Sequence, residues 1–270
     1  MIAAQGTAHA ADLDDETRTF ARDLILVLAD SKRLLGMRFA NWILGAPELE
    51  AGIACASMAQ DEWGHARLLY ALLKDFGEDA DGLEHTREPE HYHSMAALDS
   101  EPSSWTALIA INALADTALS TQLEAVADSA YLPLRQRVQK IMEEEAFHAA
   151  HGAAWFRRIA GAGEAGRLGM QQAVGQVAPG VLQWFGPDST RSRALVDASI
   201  ASATGSGMRM RFIDRVTPLI ALIDADAAFA GVEPDFSAFD EASRRPAGAV
   251  PDARTIAQVR GDRNRVFLMD

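Results

Sequence analysis

The sequence predicts an all-α fold whose first 160 residues form a four-helix bundle. Three observations predict it. Apolar residues recur with a helical period in four long segments, no stretch combines alternation with strand-type turn signals, and a long polar connection separates two helical hairpins. Segment one runs from about Asp14 to Leu44, with Phe20, Leu24, Leu28, Leu35, Phe39 and Trp42 on one face. Gly45, Ala46 and Pro47 break it, and Pro47 suits the first position of segment two. That segment reaches about Phe76, where Gly77 supplies a stop. Glu78 to Pro102, with His85, His91 and His93, reads as the polar connection. Segment three starts at Ser103 or Ser104 as N-cap and continues to about Ser129; segment four spans Pro133 to about Ala160. Two hairpins joined by a long crossover is the connectivity of a ferritin-like bundle.

Beyond the bundle, Gly161 to Phe185 and Pro187 to about Ile223 read as additional C-terminal helices, with Gly205 and Gly207 weakening the middle of the second. From Gly231 onward, Pro234, Pro246 and Pro251 predict an extended tail. The expected organisation is one ferritin-like domain over residues 1–270: a core at about 14–160, extra helices at about 163–230 and a tail at about 231–270.

Charge and composition exclude several classes of function. The chain carries 25 Lys+Arg against 38 Asp+Glu, a net charge of −13, which argues against nucleic acid and against an anionic membrane as partner. A lone Cys55 excludes an internal disulfide framework and reads as a small buried hydrophobe. The first residues show no basic region followed by an apolar run, and no stretch of about 18 apolar residues occurs, so the expected location is the cytoplasm.

The chemistry resides in two short motifs. Segment two holds Glu62-x-x-His65 and segment four holds Glu145-x-x-His148. Each places a carboxylate and an imidazole on one helix face, one turn apart. A single such pair is usually solvent-facing. Two of them, each on the second arm of a hairpin, form the pattern of di-metal carboxylate bundles, whose other two helices contribute one further carboxylate each. In an antiparallel hairpin, residues equidistant from the turn lie level. Asp116 is level with Glu145, about 20 Å from the turn in an otherwise apolar stretch, where an isolated acid is costly unless paired. Level with Glu62 stands Lys32. Glu62, His65, Asp116, Glu145 and His148 are therefore the candidate metal ligands, with oxygen and nitrogen donors that suit Fe or Mn. Lys32 and Glu62 are the candidate catalytic groups. The lysine leaves three outcomes open: a single ion with the ammonium in place of the other, no metal with the ammonium bridging the acids, or a deprotonated amine beside two ions.

At these residues a family resemblance emerges. Asp30-Ser31-Lys32, Asn41-Trp42, Ala46-Pro47-Glu48-Leu49-Glu50 and Gln60-Asp61-Glu62-Trp63-Gly64-His65 resemble the ferritin-like subunits of phenylacetyl-CoA epoxidase, of the phenylacetic acid catabolic protein family. Tyr131-Leu132-Pro133 and Glu144-Glu145-Ala146-Phe147-His148 are similar to its catalytic subunit. The resemblance extends to benzoyl-CoA epoxidase, includes Leu182 to Pro187 and covers roughly residues 20–230. It implies a di-iron site that activates O2 to oxygenate an aromatic acyl-CoA, with electrons from a separate reductase. Two departures stand out. Lys32 takes the place of a Glu ligand, and Gly36 to Trp42 look more like the non-catalytic scaffolding subunit.

Among the remaining candidates, His151 reads as a residue supporting the site or facing solvent, and His85, His91 and His93 as surface residues. Trp63, Phe147 and Trp155 read as core packing, and Glu143 and Glu144 as a solvated face. The first functional expectation is a metal-dependent oxidoreductase that activates O2, using Fe, or Mn with Fe, or a single ion, on an aromatic or acyl-CoA-type substrate. The alternative is a catalytically silent scaffolding subunit, free of metal, in which Lys32 neutralises the acids. Either works as a homo- or hetero-oligomer with a related bundle subunit and a possible reductase.

Overall fold

The computed structural model describes residues 6–225, 229 and 234–262. Helix α1 spans Asp15–Asn41, opened by the Asp14 side chain, which accepts from the Thr17 N–H at 2.9 Å. Helix α2 spans Leu49–Leu72 and tightens into a 3-10 turn over Leu73–Phe76. Gly77, at φ 85°, ends it in the left-handed region that favours glycine. The two helices pack along their whole length, as the first predicted hairpin requires.

The crossover contains one short helix, α3 (Ala80–His85), and two 3-10 turns. It is tied to α1 by a buried acid. Asp30 accepts from Tyr70 Oη at 2.5 Å, from the backbone N–H of His93 at 2.7 Å and from the Arg87 guanidinium. Next to it, Ser31 Oγ accepts from the Met95 N–H at 3.0 Å. These bonds explain why a polar connection of this length is ordered: its backbone groups find partners on α1.

The third predicted segment is not one regular helix. Helix α4 (Trp105–Ile111), capped by Ser104, passes through a π-helical turn over Asn112–Asp116 into α5 (Thr117–Ala125). The fourth bundle helix, α6, spans Leu132–Ala160. Contacts of α2 and α5 with α6, and of α1 with α2 and α5, close a ferritin-like all-α bundle. Its interior is fully buried at Leu28, Leu35, Phe39, Leu119 and Ile141, each side chain contributing about 1.5–3 kcal/mol relative to exposure.

Outside the bundle lie α7 (Glu164–Trp184), α8 (Thr190–Asp197) and α9 (Gly205–Ile220). The region expected as one helix from Pro187 to Ile223 is thus two, parted at Ser199, where φ is 58°. The first residue of the second helix, Gly205, stands where a Cβ would run into the carbonyls of Phe185 and Gly186. The described part of the tail is not simply extended. It forms a hairpin of β1 (Phe239–Asp240) and β2 (Arg245–Pro246), then α10 (Ala253–Val259), capped by Asp252. This segment straps α1, with Arg38 donating to Thr255 Oγ1 at 3.1 Å and Arg33 to the Val259 carbonyl at 3.4 Å. Residues 226–228, 230–233 and 263–270 of the expected helices and tail lie outside the described residues. Among the described residues no helix is long and apolar enough to cross a membrane.

A buried lysine–carboxylate centre

All six residues singled out by spacing meet inside the bundle. Lys32 comes from α1, Glu62 and His65 from α2, Asp116 from the π turn, and Glu145 and His148 from α6. Lys32, Glu62 and His148 are 0% exposed, and the others are 2% exposed at most.

The amine occupies the middle. Lys32 Nζ donates to Glu62 Oε1 at 2.9 Å, to Asp116 Oδ1 at 3.2 Å and to Glu145 Oε1 at 2.7 Å. An ammonium has three donors and no acceptor, and here each donor has its own carboxylate. Burial alone would lower its pKa. The carboxylates of Glu145, Glu62 and Asp116 outweigh that and hold the lysine pKa well above its usual value. Burial likewise opposes charge on Glu145, but Lys32, His65 and His148 draw its pKa well below the usual carboxylate range. Glu62 is pushed upward, by burial first and by Glu145 and Asp116 beside it, against the pull of Lys32.

The two imidazoles cross between hairpins. His65 on α2 places Nδ1 3.3 Å from Glu145 Oε1, and its Nε2 meets Glu144 Oε2 at 2.6 Å. His148 on α6 places Nδ1 3.1 Å from Glu62 Oε1 and 3.4 Å from Asp116 Oδ2, with Nε2 3.5 Å from Asp61 Oδ2. Each ring therefore links a buried acid to a partly exposed acid on the opposite helix. Burial lowers the pKa of His148, but Asp116 and Glu62 push it up to about 11; His65 is raised by Glu145 and Glu62 in the same way. Three carboxylates thus face one ammonium and two imidazoles that favour protonation, so the centre can be neutral as it stands.

Further groups position these side chains. Ser120 Oγ donates to Glu145 Oε2 at 2.5 Å. Asn112 Nδ2 donates to Asp116 Oδ2 at 3.1 Å and to the His148 carbonyl at 3.3 Å, and His151 Nδ1 lies 3.3 Å from Asn112 Oδ1. Phe39 stands edge-on to His148, with ring centroids 6.0 Å apart. A cavity of about 220 Å³ reaches the centre between α5, α6 and α9, lined by Ser120, Met142, Ala146 and Ala149 around Asp116 and Glu145. Arg215 also lines it, paired with Glu124 at 2.6 Å.

Spacing alone does not find Asp61, Asn112 or Ser120, and Glu144, exposed as expected, also meets His65. The available signal was the acid directly before each Glu-x-x-His, Asp61 and Glu144. The expected packing role of Phe147 also gives way: the ring is 50% exposed. His151 supports Asn112, and Tyr70 and Tyr131 hydrogen-bond to Asp30 and Asp75.

Could this donor set hold a metal? Glu62, Asp116, Glu145 and His148 each bring a ligand atom within 4.8 Å of the others, so the cluster could bind an ion. Glu62 Oε2 and both His148 ring nitrogens lack an aligned hydrogen-bond partner, which leaves some ligating capacity. Two ions do not fit, because Lys32 Nζ already stands among the oxygens of three of the four donors and brings a like charge. An ion and the ammonium would compete for the same three oxygens.

Comparisons with known proteins agree with the fold and the motifs. The family model described as phenylacetic acid catabolic protein matches residues 4–227. The chain is similar to two different subunits of the 1,2-phenylacetyl-CoA epoxidase of Escherichia coli (strain K12). With the first it is 26% identical over 186 residues, covering 68% of this chain and 60% of that protein. With the second it is 27% identical over 157 residues, covering 56% of this chain and 62% of that protein. The chain therefore spans less than two thirds of the length of these curated relatives.

Proposed function

The chain belongs to the phenylacetic acid catabolic protein family, and on that premise we propose that it is a ferritin-like member of a metal-dependent oxygenase assembly in which the Lys32 ammonium takes the place of a metal ion. Its relatives are subunits of an epoxidase whose name gives phenylacetyl-CoA as substrate, so an aromatic acyl thioester is the substrate class proposed for the assembly. A related bundle subunit houses the redox metal there, and a reductase supplies electrons.

One observation carries the reading: Nζ of Lys32, wholly buried, makes hydrogen bonds to three carboxylates from three helices. A fixed cation at that point does for folding what a metal does elsewhere. It compensates acids that the helices deliver to a dry interior, and it sets the spacing of those helices. It does so without an exchangeable ion, which suits a protein that shapes and supports the assembly.

A second reading has its own observation. Glu62 Oε2 has no hydrogen-bond partner and the His148 nitrogens meet their acids without aligned hydrogen bonds, so they offer ligands for one ion, giving a mononuclear centre beside the amine. If Fe or Mn bound there, it would supply redox chemistry. The chain's own residues would hold a proton at Lys32 Nζ and orient the acids through Ser120 and Asn112. Elemental analysis after expression with both Fe and Mn separates the readings. The ammonium reading predicts far less than one ion per chain and no O2 consumption by the isolated chain with a chemical reductant. One tightly held ion per chain, with O2 uptake, would establish the second reading instead.

A further inference from the structure

Buried cations in this fold generally face acids. Lys32 meets three carboxylates, Arg87 donates to Asp30 Oδ2 at 3.0 Å, and Arg245 pairs with Asp99 at 2.6 Å. Arg38 of α1 is different. It is 0% exposed, yet among the described residues it forms no ion pair. One of its nitrogens, Nη2, donates to Thr255 Oγ1 at 3.1 Å, while Nε and Nη1 have no hydrogen-bond partner. Burial pushes its pKa down to about 10, against the more distant pull of Asp252, Glu101 and Asp99. Those acids serve other groups. Asp252 accepts from the Thr255 N–H, Glu101 pairs with Arg254 at 3.2 Å, and Asp99 pairs with Arg245. A guanidinium held in a dry interior by one hydroxyl is poorly compensated for its lost hydration.

The element that meets Arg38 is α10, the short helix of the C-terminal strap. With seven residues it is too short to hold its shape alone. Its seat on the bundle is thin. Thr255, Ile256 and Val259 are buried, and the polar ties beyond Thr255 are Arg33 to the Val259 carbonyl at 3.4 Å and the Asp252 N–H to the Asp99 carbonyl at 3.2 Å. The solvent-facing pairs Arg254–Glu101 and Arg260–Glu88 add little. Both ends of the segment carry a glycine in the left-handed region, Gly248 at φ 76° and Gly261 at φ 73°, with open space where a Cβ would stand. Such positions let the chain pivot. Lifting the segment returns water to Arg38, and closing it removes that water again. The side chain that the strap covers therefore opposes the covering.

We propose that residues 249–260 are a lid that opens and closes over Arg38 as one unit, hinged at Gly248 and Gly261, with the arginine biasing it towards opening. The inference does not depend on what occupies the buried centre. Amide hydrogen exchange on the full chain tests it, with circular dichroism as a check on folding. In the wild type, residues 256–260 exchange by local opening at least about a hundredfold faster than residues 24–35 of α1. Arg38→Met, which keeps the bulk and removes the buried charge, slows exchange of the lid at least about tenfold and leaves residues 49–72 unchanged. An arginine that merely tied the strap down would give the opposite sign. Thr255→Asp, which brings the missing carboxylate from the lid side, also slows exchange at least about tenfold, but speeds it when combined with Arg38→Met. Strap amides as protected as those of α1 overturn the proposal. So does Arg38→Met with faster exchange, or Thr255→Asp with the same effect in both backgrounds.

Discussion

Lys32 is the ammonium that three buried carboxylates share. Removing one partner of a buried ion cluster is costlier than removing the whole cluster, since the remaining charges stay desolvated. Lys32→Met, which keeps the bulk and loses the charge, is therefore expected to cost about 3–5 kcal/mol in urea unfolding. Added Mn2+ should raise the unfolding midpoint of that variant and leave the wild type unmoved; equal responses would detach the lysine from the cation site. His148 makes a separate prediction through pH. Its folded pKa of about 11 lies above the unfolded value of 6.5, so its contribution is full below about pH 6.5 and is lost as pH rises towards 11. Glu145, held low in the fold, contributes in the opposite window: its share is present above about pH 4.5 and is lost on acidification. The melting temperature should thus fall on both sides of neutrality, and His148→Gln should flatten the alkaline limb. These side chains were legible because helical spacing and hairpin symmetry fix what is level with what. Ser120 and Asp61 were not, because their partners Glu145 and His148 lie across helix interfaces that a one-dimensional spacing does not describe.

At the scale of elements, the π turn is the piece that sequence periodicity could not reveal. Asn112 to Asp116 look like any apolar helix with two polar interruptions, yet the wider turn delivers both polar side chains to one point. Gly152 on α6 permits this, since a Cβ there would stand 2.7 Å from Asn112 Oδ1. Gly152→Ala is expected to push Asn112 off Asp116 and destabilise the fold by about 1–3 kcal/mol, measured by thermal unfolding. A neutral outcome would show that the turn has room to spare. The crossover poses the complementary case. Its His and Pro content predicted a loop, and a loop it largely is, but its order depends on Asp30. Asp30→Asn should speed amide hydrogen exchange over residues 86–95 while residues 49–72 of α2 keep their protection. Uniform loss of protection would mean that the acid supports the whole bundle instead. The break at Ser199 escaped prediction for a related reason: Gly205 serves a close backbone approach to Gly186, a tertiary demand.

For the whole molecule, the fold class was legible and the occupancy of its centre was not. Two Glu-x-x-His helices with a level Asp116 specify a ferritin-like core, and the lysine level with Glu62 could have pointed outward or inward. It points inward, and that single orientation converts a plausible di-metal centre into a lysine–carboxylate centre. Anomalous scattering from crystals of the wild type and of Lys32→Glu, both grown with Fe and Mn, tests the central claim most directly. The account predicts no anomalous peak among Glu62, Asp116 and Glu145 in the wild type and a new one there in the variant. A strong peak at that point in the wild type, with the lysine turned aside, would contradict it.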